Sequence, residues 1–182
     1  SSSPLILDLD GDGVETTFLK GMAYFDHEGN GFAQRTGWVS PDDGLLVLDR
    51  NNDGIINDGS ELFGSQTLLH SGMKAADGFQ ALAQYDENGD GKIDANDTVW
   101  HLLRVWQDFD GDGYSAGNEL FTLEALGIQS INTAYETSPL VDSQMNEHRQ
   151  IGSFTKTDGR TNSMDDVWFK TDTTYTVPNA LL

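Results

Sequence analysis

The sequence PLILDLDGDG, residues 4–13, joins a short apolar run directly to a loop of alternating aspartates and glycines. A run of this kind, ended by Asp and Gly, is typical of a β-strand that leaves into a turn. GLLVLDRNNDG, residues 44–54, repeats this order, and residues 22–39 combine extended apolar pieces with another Gly-rich turn. We therefore predict that residues 4–60 form short strands joined by Asp- and Gly-rich loops.

The aspartate spacing matches the calcium-binding loop of EF-hand proteins. Ca2+ takes six to eight oxygen ligands at about 2.3–2.6 Å, and a 12-residue loop supplies them from positions 1, 3, 5, 7, 9 and 12, with glycine at position 6. Residues 108–119 match at every position, and residues 86–97 match with Asp instead of Glu at the end. The predicted ligands in these two loops are Asp108, Asp110, Asp112, the carbonyl of Tyr114, Glu119, Asp86, Asn88, Asp90, the carbonyl of Lys92, Asp94 and Asp97.

Three further loops follow the pattern less closely. In residues 49–61 the closing Glu61 falls at position 13, and residues 8–19 and 26–31 lack a closing carboxylate of their own. Residues 49–61 are either a calcium loop with one extra residue or an Asx-rich turn before a helix. The two loops without a closing group either share one ion or are turns whose acids face water. The predicted ligands are Asp49, Asn51, Asp53, the carbonyl of Ile55, Glu61, Asp8, Asp10, Asp12, the carbonyl of Val14, Asp26, Glu28 and Asn30.

The 182-residue chain has a large excess of acidic groups. It contains 30 Asp and Glu against 10 Lys and Arg, which gives a formal net charge of −20. More than half of the acids lie at the predicted ligand positions. Because clustered carboxylates repel one another, we expect about three to five calcium ions to bind and folding to depend on them. The acidic surface disfavours nucleic-acid binding, which requires basic side chains.

The lack of cysteine excludes disulfides, thiolate zinc sites and a cysteine nucleophile. No apolar run approaches the roughly 18 residues of a membrane span. A cysteine-free calcium-binding chain is compatible with export in an unfolded form, so we expect a secreted, extracellular or bacterial cell-surface location. We interpret SSSP at the start as the edge of an excised module, with residues 1–3 a tag or a replacement for upstream sequence.

The middle of the chain is predicted to be mainly helical. A short helix is predicted over residues 60–69, and Gly127 is a predicted helix stop. The loops that start at Asp86 and Asp108 form a 22-residue repeat whose connecting segment is predicted to be one helix. Apolar residues at helical spacing occur in DGFQALAQY (77–85), NDTVWHLLRVWQ (96–107) and GNELFTLEALGI (117–128).

Residues 128–182 are rich in strand-forming residues, and TDGR at 157–160 is a hairpin signal. The predicted fold class is therefore α+β, with EF-hand-like calcium loops and short helices in the middle and β-hairpins or strands in the N- and C-terminal parts. We predict one module over residues 1–182. Its parts are a strand-and-loop part, 4–60, an EF-hand-like helical part, 61–127, and a β-rich part, 128–182.

The order of these motifs resembles one known family. PLILDLDGDGVETT, GWVSPDDGLLVLDRNNDGIINDGSELFG, the paired loops at 86–119, RQIGSFTKTDGRT and DVWF are similar to the calcium-dependent self-processing module of FrpC-like, iron-regulated RTX proteins. The resemblance covers the chain from Pro4 to about Trp168. The glycine-rich RTX nonapeptides are absent, as expected of a module that lies upstream of them.

The resemblance implies an unusual reaction. In that family calcium binding triggers cleavage of an Asp-Pro bond at the N-terminal edge of the module, and the new C-terminal Asp can be joined to a lysine ε-amine by an isopeptide bond. Pro4 matches the proline of that bond, whereas Ser3 stands where the Asp is expected. The implied partners are the upstream segment of the precursor and a lysine-bearing protein. We expect a single-turnover autoproteolytic module that is inactive in cis because of Ser3.

An Asp carboxylate can attack its own main-chain carbonyl and form a five-membered anhydride, with proline as the leaving amine. The leaving nitrogen needs a proton, and the sequence does not identify its donor. The candidates are His27, Tyr24 and the acid pairs at 42–43 and 165–166, although solvated turns are the preferred interpretation of both pairs. Lone histidines elsewhere are interpreted as surface or core residues.

Two other classes of function remain open. The 22-residue repeat is similar to dockerin-type duplications, which bind protein partners, so a non-catalytic, calcium-stabilised binding module is the alternative. A calmodulin-like calcium sensor is disfavoured because such sensors use a Met-rich groove, and the chain has only 4 Met.

Overall fold

The chain folds mainly into antiparallel β-structure over residues 2–19 and 21–182, which this computed structural model describes. Ser1 and Lys20 lie outside the described residues. The strands are β1 (Leu5–Leu7), β2 (Thr16–Thr17), β3 (Tyr24–Phe25), β4 (Phe32–Thr36), β5 (Trp38–Val39), β6 (Gly44–Leu48), β7 (Lys92–Ile93), β8 (Leu103–Trp106), β9 (Leu120–Phe121), β10 (Ile128–Asn132), β11 (Glu136–Val141), β12 (Glu147–Lys156), β13 (Thr161–Trp168) and β14 (Thr171–Pro178).

The largest sheet has nine strands, and β1 lies near its middle. The strand order is β7-β10-β12-β13-β1-β6-β8-β9, with β11 beside β12. A three-stranded sheet has the order β14-β4-β3, and β2 pairs with β5. In β1, Leu5 pairs with Asp166 of β13 and Ile6 pairs with Leu45 of β6. The start of the chain is therefore held between its middle and its C-terminal part.

Around β1 and β6 both faces of this sheet are buried, which explains the continuous apolar runs in these two strands. Leu5, Leu7 and Leu46 belong to one core cluster, which also contains the helix residue Phe79. Ile6 and its neighbours on β6 belong to the second cluster, together with Trp38, Trp106, Phe25 and Phe169. Successive residues of a strand point to opposite faces, so a run without polar interruption supplies both clusters.

The predicted α+β class with EF-hand-like helices is wrong. Among the described residues there is one α-helix, α1 (Gly78–Ala83), within the predicted 77–85 segment, and its N-terminus is capped by Asp77. Across residues 2–19 and 21–182, no helix is long and apolar enough to cross a membrane. The other helical pieces are 3-10 turns: Gly59–Glu61, Thr98–His101, Gly117–Glu119, Glu124–Leu126 and Asn179–Leu181.

The predicted helix over 96–107 is the most informative error. Its apolar residues fit helical spacing, but Leu103, Val105 and Trp106 also fit a strand, and they form β8 against β6. The sheet buries these three side chains completely. The segment between the two repeated loops is thus a 3-10 turn and a strand, so the structural basis of the dockerin-like interpretation is absent.

The helices predicted over 117–128 and 60–69 are absent, whereas the predicted strands are present. Residues 117–128 contain β9 between two 3-10 turns instead of a helix, and residues 60–69 contain only the end of a 3-10 turn. Gly127, the predicted stop of the helix over 117–128, instead ends the 3-10 turn Glu124–Leu126 with a left-handed φ of 69°. The N-terminal strands and the hairpin of β12 and β13 around TDGR are confirmed.

Candidate functional site

The Ser3–Pro4 linkage lies at the entry to β1 and is buried. Ser3 is only 4% exposed, and its hydroxyl accepts the N–H of Ser65 at 3.3 Å. The Ser3 N–H donates in return to the Ser65 hydroxyl at 3.2 Å. The Pro4 carbonyl accepts the N–H of Val167 at 3.0 Å, which continues the pairing with β13. The linkage is therefore fixed by hydrogen bonds on both sides, to Ser65 and to Val167.

Gly64 permits this close approach. Its backbone forms a bridge with Pro4, and a Cβ on Gly64 would lie 1.5 Å from the carbonyl oxygen of Ser3. No side chain fits in that space, so glycine is required for the chain to pass against the residue 3 carbonyl. The Leu5 N–H, donating to the Phe63 carbonyl at 2.9 Å, completes the contact on this side.

The acid pair at 165–166 lies in β13 and is buried, so the prediction of a solvated turn there is wrong. Asp166 is fully buried, and its Oδ2 accepts the Gly78 N–H at 2.7 Å. Its Oδ1 is buried without a hydrogen-bond partner. Burial raises the pKa of Asp166 to about 7, although the Gly78 N–H and the nearby Ser3 hydroxyl oppose this shift. Asp165 has partners for both oxygens, His148 and Ser163.

His27 is not suited to donate a proton at neutral pH. Burial lowers its pKa to about 4, so the ring is neutral. The ring contacts Phe25, Trp38 and Phe169, and its Nε2 lies 3.0 Å from the Thr36 hydroxyl. His27 is therefore a satisfied core histidine.

All five predicted calcium loops share one hydrogen bond. The aspartate at position 1 accepts the N–H of the glycine five residues later, which has a positive φ in every loop. This contact shapes the turn of an EF-hand loop, and it forms here without the flanking helices. The five pairs are Asp8–Gly13 at 2.9 Å, Asp26–Gly31 at 2.9 Å, Asp49–Gly54 at 2.8 Å, Asp86–Gly91 at 2.8 Å and Asp108–Gly113 at 2.8 Å.

The predicted closing carboxylates occupy equivalent places in three loops. Glu119 accepts the N–H groups of Phe109 and Ala116, at loop positions 2 and 9, at 2.9 and 3.0 Å. Asp97 accepts those of Glu87 and Asp94 at 2.9 and 3.0 Å.

Glu61 makes the same two contacts in the loop that carries an extra residue. It accepts the N–H groups of Arg50 and Asn57, again at positions 2 and 9, at 2.7 and 2.8 Å. The extra residue in 49–61 is thus accommodated after position 9, where Gly59–Glu61 forms a 3-10 turn. No α-helix follows this loop directly, only that 3-10 turn, and calcium binding at 49–61 stays a prediction.

Asp43 closes the opening loop, and the sequence did not reveal this. It accepts the N–H groups of Leu9 and Glu15, at loop positions 2 and 8, at 3.2 and 2.8 Å, whereas the local closing groups accept those at positions 2 and 9. Carboxylate oxygens of Asp8, Asp10, Asp12 and Asp43 all lie within 4.8 Å of one another. Burial raises the pKa of Asp43 to about 8, with the charges of Asp42 and Asp10 adding to the effect.

A second, exposed set of acids lies beside this loop. Asp10, Asp12, Glu15 and Asp42 also have carboxylate oxygens within 4.8 Å of one another. Hydrogen bonding and charge from Asp42 raise the pKa of Glu15 to about 7. The carboxylates of this region therefore repel one another, which a bound cation relieves. Val14, the predicted carbonyl ligand, is half-buried and packs against the second core cluster.

Residues 26–31 do not join that group of acids. Asp26 is buried and also accepts the Asn179 side chain at 2.9 Å, whereas Glu28 and Asn30 are exposed. Among the described residues, the close carboxylate groups that contain Asp8 include neither Asp26 nor Glu28. One ion shared between the two half-loops is thus not favoured by this arrangement.

The loop at 108–119 is the most deeply embedded. Asp108 is buried and accepts the Trp38 indole N–H at 2.7 Å, and burial raises its pKa. Carboxylate oxygens of Asp108, Asp110, Asp112 and Glu119 lie within 4.8 Å of one another. Four hard oxygen donors at this spacing fit a calcium ion.

The loops at 86 and 49 present their donors differently. Asp86 Oδ1 is buried without a partner, which fits a ligand to a cation in that loop. Asn88, Asp90 and Asp94 are exposed or half-exposed around it, as are Asn51 and Asp53 around Asp49. The residues whose carbonyls are predicted ligands donate their own N–H groups to position 5 carboxylates: Ile55 to Asp53, Lys92 to Asp90 and Tyr114 to Asp112.

These features define an antiparallel β module with five Asp-Gly loops and a buried linkage ahead of its central strand. The model of the SPM domain family matches residues 5–170, and this chain belongs to that self-processing module family. Over 171 residues it is 52% identical to the iron-regulated protein FrpA of Neisseria meningitidis serogroup C. That match covers 93% of this chain but only 15% of the relative's length.

Proposed function

We propose that the fold is a calcium-dependent self-processing module for an Asp-Pro bond at residues 3–4, with Ser3 making this chain inactive in cis. The observation that carries this is the buried Ser3–Pro4 linkage, held between Gly64 and β13. A flexible or exposed linkage would not present one peptide bond in one geometry. Membership of the SPM domain family supports the same conclusion.

The chemistry requires an aspartate at residue 3. Its carboxylate attacks the residue 3 main-chain carbonyl, the C–N bond to Pro4 breaks, and the proline nitrogen leaves with a proton. Water then opens the cyclic anhydride and gives hydrolysis, or a lysine ε-amine opens it and gives an isopeptide bond. Serine has no carboxylate and cannot take the first step. The Ser65 N–H, which donates to the Ser3 side chain, is placed to orient a carboxylate at this position.

Calcium binding is proposed to order the segment that holds the linkage. The opening loop follows β1 directly, and Asp43 connects it to the turn before β6. About three to five ions are proposed at the loops that start at residues 8, 49, 86 and 108, with the loop at 26 the weakest candidate. Their positive charge would offset up to about half of the net charge of −20. Loop closure then completes the sheet around β1.

The proposed partners follow from this reaction. They are the upstream segment of the precursor, which carries the aspartate, and a protein that offers a lysine for the cross-link. Because the loops need calcium, we propose that the module acts after export, at an extracellular or bacterial cell-surface location. The name of the relative, iron-regulated protein FrpA, supports the proposal that the module belongs to an exported protein of the RTX type.

The test is cleavage by a Ser3→Asp chain that carries an N-terminal fusion partner. Addition of millimolar calcium is expected to give two fragments on a denaturing gel, with Pro4 as the new N-terminus by mass spectrometry. The unmodified chain and Ser3→Asn, each with the same fusion, are the matched controls and are expected to stay intact. A Ser3→Asp chain that stays whole in calcium, although folded by circular dichroism, contradicts the proposal.

A further inference from the structure

We propose that Asp166 is the catalytic acid that gives its proton to the leaving nitrogen of Pro4. This inference rests on the proposed function and identifies a residue that the motif pattern alone did not assign. It starts from a carboxyl group that is fully buried in β13, beside the linkage, and incompletely hydrogen-bonded.

Strand register places Asp166 next to the linkage. Leu5 and Asp166 are direct partners in the antiparallel pair of β1 and β13, and the Pro4 carbonyl accepts the N–H of Val167. Side chains two residues apart on a strand share a face, so Ser3 lies on the same face as Leu5 and its partner Asp166. The Ser3 hydroxyl is close enough to the Asp166 carboxyl to lower its pKa.

The hydrogen bonds of Asp166 leave one oxygen available. Oδ2 is held by the Gly78 N–H at 2.7 Å, which fixes the carboxyl group, and Oδ1 has no partner. Within residues 2–19 and 21–182, buried side-chain atoms without a partner are Arg35 Nε, Asp86 Oδ1, Asp166 Oδ1 and Asn179 Oδ1. Of these four, Asp166 Oδ1 is the one on the strand paired with β1. A structural carboxylate normally has partners for both oxygens.

The surroundings keep the group protonated near neutral pH. Burial is the main cause, and the charge of Asp77 at the start of α1 adds to it. The Gly78 N–H, the Ser3 hydroxyl and the charge of Arg149 on β12 act in the opposite direction. An aspartate at residue 3 would bring a second carboxyl close to Asp166, and two such groups retain one proton between them.

The step balances without a further reactant. The residue 3 carboxylate attacks its own main-chain carbonyl, the carbon–nitrogen bond to Pro4 breaks, and the proton on Asp166 moves to the proline nitrogen. The products are the cyclic anhydride, a neutral secondary amine and the Asp166 carboxylate. When water opens the anhydride, the carboxylate takes up the released proton and the acid is restored.

The experiment compares cleavage rates of fused Ser3→Asp chains in saturating calcium. Adding Asp166→Asn retains the size of the side chain and the acceptor for Gly78 but removes the proton, so a loss of at least about 100-fold is expected. The matched control adds Asp165→Asn, a neighbour in β13 that is bonded to His148, and is expected to cleave within a few-fold of Ser3→Asp. Circular dichroism in calcium verifies that each chain folds.

The pH profile gives a second readout that a structural role would not produce. In the Ser3→Asp chain the cleavage rate is expected to fall as pH rises through the titration of Asp166 and residue 3, between about pH 6 and 9. Cleavage of Ser3→Asp with Asp166→Asn at an unchanged rate overturns this inference and leaves the proposed function standing. If that variant does not fold, a rate that stays constant from pH 6 to 9 in Ser3→Asp overturns it. A folded Ser3→Asp chain that is never cleaved contradicts both the proposed function and the role of Asp166.

Discussion

Asp43 completes the opening loop from a distant part of the chain. Its contacts with two loop N–H groups are similar to those that Glu119, Glu61 and Asp97 make within their own loops, yet it comes from the turn between β5 and β6. The proposed ion site at this loop would thus also connect the end of β1 to the start of β6. Such a tie links calcium binding to the strand that carries the Ser3–Pro4 linkage.

Replacing Asp43 is expected to weaken calcium binding at the opening loop. Asp43→Asn removes one negative ligand, so we predict that titration calorimetry shows one site weakened by about tenfold or more. Asp158→Asn, which removes a carboxylate from the exposed turn between β12 and β13, serves as the control with unchanged binding. Equal affinities and stoichiometries for Asp43→Asn and the unmodified chain argue against a ligand role.

At the residue scale, the sequence predicts those site residues that lie close together along the chain. The ligands at loop positions 1, 3 and 5 and the turn glycine lie within six residues, so spacing alone groups them. Asp43 and Asp166 are not predictable in this way, because their roles depend on strand pairing between distant segments. Both belong to Asp-Asp pairs that a sequence pattern assigns to solvated turns.

At the scale of elements, a buried histidine joins β12 to β13, the strand that pairs with β1. The charged ring of His148 on β12 donates from Nδ1 to Asp165 of β13 at 2.7 Å and from Nε2 to Asp142 at 2.8 Å. Asp142 also accepts the Thr16 hydroxyl of β2 at 2.6 Å. Burial alone would lower the pKa of His148, but the hydrogen bonds to Asp165 and Asp142 outweigh it and raise the pKa above its usual value.

This arrangement predicts a pH-dependent contribution to stability. Because the pKa of His148 is higher in the folded state, its contribution is complete below about pH 6.5 and is lost as pH rises through the folded-state pKa. His148→Gln in calcium is expected to lower the free energy of unfolding by about 3 kcal/mol at pH 6, and by less at higher pH. Urea unfolding at several pH values measures this.

The exposed His101 supplies the matched control for that measurement. His101→Gln is expected to change the free energy of unfolding by less than about 0.5 kcal/mol at every pH. If His148→Gln reduces stability by the same amount at pH 6 and pH 9, the histidine is not charged in the folded protein.

Strands and helices differ in how far the sequence predicts them. The apolar runs before Asp8 and Asp49 are correctly read as strands, because both faces of the sheet need apolar side chains. The prediction of a helix for the run before Asp108 is wrong: Leu103 and Trp106 have helical spacing, but Leu103 and Val105 have strand spacing and Trp106 fills the core on the other face of β8. Residues 103–106 form a strand instead of a helix because they pair with the edge of β6. The strand-then-loop order of β1 and β6 is in fact repeated at β8.

At the scale of the whole molecule, charge and topology act together. The net charge of −20 opposes a compact chain, and the carboxylates are concentrated at loops that join strands of the central sheet. Without cations, repulsion between these carboxylates destabilises the loops that follow β1, β6 and β8. The pairing of β1 with β13 is long-range, so it depends on the rest of the sheet being formed.

Calcium removal is therefore expected to unfold most of the sheet. We predict that excess chelator shifts the far-UV circular dichroism spectrum from β-type to disordered, and that calcium restores it. Magnesium at the same concentration is the control and is expected to restore less, because it prefers a smaller octahedral site. A spectrum that chelator leaves unchanged contradicts the coupling of folding to calcium.

The most direct test of the central claim is the intact mass of the fused Ser3→Asp chain before and after calcium is added. Calcium is expected to convert the chain into an upstream fragment that ends in the introduced aspartate and a fragment that begins at Pro4, while chelator prevents this. A calcium-loaded chain that is folded and still has its full mass after prolonged incubation would contradict it.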